Sequence, residues 1–142
     1  MEFLYEAIVM GFLTRGNRFC CPQYSIKSDS GEGDWRCPDF VVLDFETPQV
    51  IIAEVTAGAD MRRFAAKAKE LYDHGRERIR KELMDRAKST IPNIAGWPME
   101  IQLFVREDRK ADLENRIGKL RLEVEVITLE RAFQRWKEES TK

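Results

Sequence analysis

Cysteine and histidine are scarce in this sequence of 142 residues, which holds three cysteines and one histidine. Cys20 and Cys21 are adjacent, and the odd total argues against the disulfide framework of a small secreted protein. The cysteines also lack the spacing of a zinc site, and His74 lies far from them along the chain. We therefore expect Cys20, Cys21 and Cys37 to be small apolar residues of a cytoplasmic protein with reduced thiols.

Long apolar runs and an excess of either charge are absent as well. Because no apolar run approaches the roughly 20 residues of a membrane span, we expect no membrane partner. Glu2 and Glu6 interrupt the first apolar segment and no basic region precedes it, so we expect no signal peptide. With 24 basic and 25 acidic residues the net charge is −1, so a nucleic-acid partner must meet a local basic surface.

The remaining composition, 43% hydrophobic over 142 residues, predicts one folded domain over 1–142. Hydrophobic periodicity and turn residues predict the order α-β-β-β-α-β followed by α-β-α, an α/β fold with a mixed sheet covered by helices on both faces. The first helix is apolar nearly all round, so we expect it to be packed inside the domain. The predicted elements are a helix over 2–14, strands over 18–26, 34–45 and 49–57, a long helix over 60–89 that Gly75 breaks or bends, a strand over 99–105, a helix with Leu113, Ile117 and Leu120, a strand over 122–127 and a last helix with Leu129, Ala132, Phe133 and Trp136.

Two carboxylates stand inside apolar strands. Asp39 lies in Cys-Pro-Asp-Phe-Val-Val-Leu and Glu54 lies in Val-Ile-Ile-Ala-Glu-Val-Thr. A charged group in such a strand is costly unless it is paired or holds a cation. If the two strands are neighbours, both carboxylates converge on one site, and oxygen ligands without nearby His or Cys favour Mg²⁺ or Mn²⁺ over zinc.

Pro38-Asp39, followed one hairpin later by Ala53-Glu54-Val55-Thr56, resembles the motif of the PD-(D/E)xK nuclease superfamily. The order of elements is also similar to the restriction-endonuclease-like core, over roughly residues 2 to 106. The resemblance implies a metal-dependent nuclease that hydrolyses phosphodiester bonds, with DNA preferred to RNA as the partner. It implies that Asp39, Glu54 and the Val55 carbonyl bind the metal and that Glu6 matches an acidic residue of the first helix.

One position departs from that family. Thr56 stands where the family has a lysine that orients the attacking water and offsets negative charge in the transition state. Some members carry the basic residue on the following helix. With Phe64 at the centre of the buried face, Lys67 lies about 60° from that centre and Lys69 about 140° away. We therefore expect Lys67 to point inward as the replacement and Lys69 to point to solvent.

The same residues allow other interpretations. Asp39 is also suited to capping a turn, and Glu54 to pairing structurally with Arg36 or Lys67. Thr56 favours a catalytically inactive nuclease-like domain that binds nucleic acid or a protein partner. A homodimer is compatible with either function.

Positive charge is concentrated in residues 61–90, which hold ten basic and five acidic side chains. This excess suits contacts with a phosphate backbone, and Arg62 and Arg63 are the candidates nearest to the acidic pair. Alternating charges on an exposed helix are also typical of a solvated face with internal ion pairs.

Overall fold

The computed structural model describes residues 2–22 and 38–140 of the chain, and it places five strands in one mixed sheet between two layers of helices. The strands follow chain order across the sheet; β1, β2 and β3 are antiparallel neighbours, whereas β4 and β5 run parallel to β3. The elements are α1 (Glu2–Leu13), β1 (Arg18–Pro22), β2 (Phe40–Asp44), β3 (Gln49–Val55), α2 (Met61–Glu70), a π-helical turn (Leu71–Gly75), α3 (Arg76–Ala87), a 3₁₀ turn (Ile94–Gly96), β4 (Met99–Val105), α4 (Glu107–Leu120), β5 (Glu125–Thr128) and α5 (Leu129–Ser140).

Each face of the sheet has its own apolar core, because both faces of the central strands are buried. On one face Val50 and Ile52 of β3 pack with α2, α3 and α4. On the other face Ile51 and Ala53 pack with α1 and α5. The predicted α/β class, the mixed sheet and the helices on both faces are therefore confirmed.

The first and last helices are more exposed than predicted. The expectation that α1 is packed inside the domain is wrong for one side, where Leu4 is 58% exposed. On α5, Leu129 and Ala132 are buried, but Phe133 and Trp136 are exposed. Both helices belong to an outer layer, so each buries one side against the sheet and leaves the other to solvent.

The predicted helix over 60–89 contains a π-helical turn in its middle. Asp60 caps the start of α2, its Oδ1 accepting the Arg63 N–H at 2.9 Å. The π-helical turn ends at Gly75, and Arg76 Nε donates to the Tyr72 carbonyl oxygen at 2.8 Å. Gly75 therefore marks a change of helix type, and α3 continues directly from it.

The predicted strand bounds hold for β4, differ at one end for β3 and differ at both ends for β2 and β5. β4 covers 99–105 as predicted, whereas β5 begins only at Glu125, after a left-handed turn at Arg121. Residues 23–26 and 34–37, predicted as strand, lie outside the described residues, as do Arg36 and Cys37. Cys20 and Cys21 are free thiols, and both are half-buried. Among the described residues, no helix is both long and apolar enough to cross a membrane.

Candidate functional site

Asp39 and Glu54 come together because β2 and β3 are antiparallel neighbours. Phe40 pairs with Ala53, and the same register continued by one residue sets Asp39 opposite Glu54. The backbone N–H of Val55 donates to Asp39 Oδ2 at 2.8 Å, which holds this carboxylate beside the strand end. By strand alternation both acids lie on the face covered by α2. The predicted convergence of the two acids is therefore present in the structure.

Glu54 is an ionisable group inside the core. The residue is only 2% exposed, and burial, followed by the negative charge of Asp39, raises the pKa of its carboxyl to about 8. The positive charge of Lys67 acts in the opposite direction. The raised pKa shows that the charged form of Glu54 is costly here unless a positive group lies beside it.

Lys67 approaches this carboxyl from α2. Its Nζ lies 2.9 Å from Glu54 Oε2, but Oε2 has no partner with hydrogen-bond angles among the described residues, so the contact is an ion pair of poor alignment. Lys69 is exposed and instead binds Asp73 at 2.6 Å. The expected orientations, Lys67 inward and Lys69 to solvent, are confirmed, whereas a catalytic role for Lys67 stays a prediction.

An open cleft of about 680 Å³ lies at the end of β3 and the start of α2. Val55, Thr56, Arg63 and Lys67 line it. The Thr56 hydroxyl oxygen accepts the Gly58 N–H at 3.1 Å, so this side chain holds the turn that leads to α2. The cleft thus carries two positive groups, of which Lys67 contacts Glu54, whereas neither Asp39 nor Glu54 lines it.

The structure separates the two predicted phosphate-binding arginines. Arg63 lines the cleft, whereas Arg62 lines a shallower groove between α2 and α4 together with Lys69, Arg116 and Lys119. Both arginines are exposed. Arg63 is therefore the one of the two that lies near Lys67.

Glu6 belongs to the other helical layer. Its helix α1 contributes Val9, Phe12 and Leu13 to the core on the face of the sheet opposite to Glu54. The role that the family resemblance implies for Glu6 stays a prediction, and so does the metal-binding role of the Val55 carbonyl.

Two acidic residues of the cleft were not among the predicted site residues. Asp60 and Glu70 also line it. The position of Asp60 just before an apolar helical pattern is an N-cap signal in the sequence. No comparable signal marks Glu70, which reaches the cleft because it lies one helical turn after Lys67.

Comparison with family models, with curated proteins and with solved structures finds no match for this chain. Within residues 2–22 and 38–140, no three His, Cys, Asp or Glu side chains are grouped as a metal site. Function is therefore inferred from the pair formed by Asp39 and Glu54 and from the groups around it.

Proposed function

We propose that this protein is a Mg²⁺- or Mn²⁺-dependent nuclease that hydrolyses phosphodiester bonds in DNA. The observation that carries the proposal is Lys67 Nζ at 2.9 Å from Glu54 Oε2, on the face of the sheet that Asp39 shares. In this proposal the sheet with α1 and α2 is a restriction-endonuclease-like core. Lys67 takes the role of the motif lysine, whose position is occupied by Thr56 in this chain. We also propose that the protein acts in the cytoplasm.

The donor set fits a small divalent cation. Mg²⁺ is commonly held by one or two carboxylates and completes its shell with water. Asp39 and Glu54 supply two carboxylates, and Glu54 Oε2 is a buried oxygen without a hydrogen-bond partner among the described residues. A bound cation offsets the charge of both acids and removes the cost that raises the pKa of Glu54. These two residues, with the Val55 carbonyl, would hold the metal, which when bound lowers the pKa of a water molecule and neutralises phosphate charge.

The protein's own groups position the substrate. Lys67 presents a compact positive charge at the margin of the cleft, where it stabilises negative charge that develops on a phosphate. Arg63 lines the same cleft and suits contact with a neighbouring phosphate. Asp39 is fixed by the Val55 N–H, so its orientation is set before substrate binds.

The second candidate function is a catalytically inactive domain that binds nucleic acid or a protein partner. Thr56 favours it, because its hydroxyl carries no positive charge and already accepts the Gly58 N–H at 3.1 Å. Exposed ion pairs, such as Lys69–Asp73 and Arg86–Glu82, also indicate that much of the basic surface is paired with neighbouring acids and faces solvent.

The deciding experiment compares the parent with Asp39→Asn on linear, circular and single-stranded DNA and on RNA. Asparagine keeps an oxygen that accepts the Val55 N–H, so the fold is preserved while the charge is removed. Asp112→Asn, an exposed carboxylate of α4, is the matched control. We expect metal-dependent cleavage by the parent and the control, and a loss of about 100-fold or more in Asp39→Asn.

Equal cleavage by the parent and Asp39→Asn would show a contaminant and contradict the assignment. If no protein cleaves, Mn²⁺ binding measured by calorimetry separates the two candidates. Binding by the parent but not by Asp39→Asn, without cleavage, would favour the inactive domain.

A further inference from the structure

A second polar groove lies at the opposite end of the sheet from Asp39. Arg18 pairs with Asp44 at the end of the β1–β2 ladder that is farthest from Phe40. The groove has a volume of about 430 Å³, and its walls come from the segment after α1, from the β2–β3 turn and from the last half of α5. Arg15, Arg18 and Arg135 line it.

Two of these arginines have donors that the protein leaves unused. Arg15 Nη1 and Arg18 Nη1 are each shielded from solvent without a hydrogen-bond partner among the described residues. Arg15 stacks on the Phe12 ring, with Cζ 4.1 Å from the ring centroid, which holds its guanidinium at the wall of the groove. A buried donor without an acceptor is costly, and a charged one more so.

The Asp44 carboxylate has no acceptor left for these donors. Asp44 Oδ1 already accepts the N–H groups of Glu46 and Thr47, at 3.1 Å and 3.2 Å. Asp44 Oδ2 accepts Arg18 Nε and Gln49 Nε2, each at 3.2 Å. Asp44 is therefore occupied in holding the β2–β3 turn and one edge of Arg18, and it leaves no acceptor for Arg15 or Arg135.

Positive charges also repel one another at this groove. Burial, followed by the charges of Arg18 and Arg135, holds the pKa of Arg15 below its ordinary value, and Arg131 adds to the effect. Glu139 opposes it from the end of α5. Four guanidinium groups thus act on one short segment of the surface, and a bound anion would relieve their repulsion.

We propose that this groove binds a phosphate group that ends a small ligand, or free inorganic phosphate. Guanidinium groups are planar and always charged, and their paired donors match the oxygens of phosphate. Glu46 and Glu139 also line the groove, so acids border the arginines and favour a single compact anion over a continuous polyanion. The proposal is independent of the nuclease function, because the groove lies at the other end of the β1–β2 ladder.

The test uses inorganic phosphate as the probe, with the whole chain in EDTA. Phosphate is titrated by calorimetry and by thermal unfolding against chloride of equal ionic strength. We expect saturable binding and a rise in Tm with phosphate alone. Arg15→Met and Arg135→Met are each expected to weaken binding by about tenfold or more, since each removes a charged hydrogen-bond donor. Without phosphate, Arg135→Met is not expected to lower Tm, because it removes a positive charge that acts on Arg15.

Arg86→Met is the matched control, since it removes an exposed arginine of α3 that pairs with Glu82. Arg135 lies on an exposed part of α5, so its variant keeps the test valid if Arg15→Met fails to fold. A mononucleotide with a 5′-phosphate, compared with its nucleoside, separates a ligand-borne phosphate from the free ion. Equal effects of phosphate and chloride, or unchanged phosphate affinity in both arginine variants, would overturn the proposal.

Discussion

Lys67 contacts Glu54 from a neighbouring helix, with Nζ 2.9 Å from Oε2, while Lys69 two residues later binds Asp73. The two lysines therefore form a matched pair with one difference, the side of α2 on which each lies. Lys67→Met is expected to reduce DNA cleavage by about 100-fold or more, because it removes the positive charge beside the acidic pair. Lys69→Met should cleave as the parent does. Similar rates in both variants, measured under single-turnover conditions, would contradict a catalytic role for Lys67.

Thr56 allows a test of whether Lys67 has taken over the role of the lysine that the family carries at position 56. It lines the same cleft as Lys67 and follows Glu54 by two residues, so its side chain shares the face of Glu54. Thr56→Lys combined with Lys67→Met is expected to recover part of the activity that Lys67→Met alone loses. The loss of the Thr56–Gly58 hydrogen bond limits the recovery. The same double change in an Asp39→Asn background should stay inactive, and no recovery in a folded double variant would mean that position 56 does not reach the reacting phosphate.

Arg63 and Arg62 are adjacent in sequence but line different grooves. Arg63→Gln is expected to weaken DNA binding and to reduce the slope of log K against log salt by about one, because it removes one phosphate contact next to Lys67. Arg62→Gln should weaken DNA binding less. Fluorescence anisotropy at several salt concentrations, in an Asp39→Asn background that prevents cleavage, measures both. An equal reduction of cleavage by the two variants in the active protein would contradict the assignment of Arg63 to the cleft.

Glu100 predicts a pH dependence of stability that does not involve the acidic pair. Burial, followed by the neighbouring Glu125, raises the pKa of this carboxyl to about 7, against the effects of Gln102 and Arg18. The folded state therefore keeps a proton that the unfolded chain loses near its ordinary pKa of 4.5. Because the unfolded state binds fewer protons in this window, stability falls as pH rises from about 4.5 to 7.

Glu100→Gln is expected to flatten that part of the curve of unfolding free energy against pH. Glu114→Gln, an exposed acid of α4, is the control. Chemical denaturation at a series of pH values gives the difference between each variant and the parent. An unchanged slope in Glu100→Gln would show that the Glu100–Glu125 pair does not hold the proton.

The order of elements and the central strands were predictable because their signals are local. Val50 and Ile52 lie in a run of β-branched residues and Ile101 lies in a short, largely apolar segment, and both segments become the buried centre of the sheet. The direction of Lys67 followed from helical angles alone, since α2 is a regular helix over the relevant turn.

Features that depend on distant segments were not predictable. Arg15 and Arg18 come from one end of the chain and Arg135 from the other, and nothing in their local patterns indicates that they share a groove. The exposure of Trp136 has a similar origin. Its ring packs over Gly11 of α1, where an added Cβ would lie 2.7 Å from Trp136 Cδ1. A helical pattern alone does not distinguish this contact from burial in the core.

The π-helical turn between α2 and α3 contains about one residue more than the turn of a regular α-helix would. Leu71 and Ile79 lie in the same core although eight positions separate them, which in a regular α-helix would turn Ile79 about 80° away. Deleting the exposed His74 leaves seven positions, an offset of about 20° that a plain α-helix accommodates. We expect that deletion to leave Tm nearly unchanged, whereas inserting an alanine there should unfold α3 from the core. This segment is therefore where the chain tolerates the loss of a residue but not the gain of one.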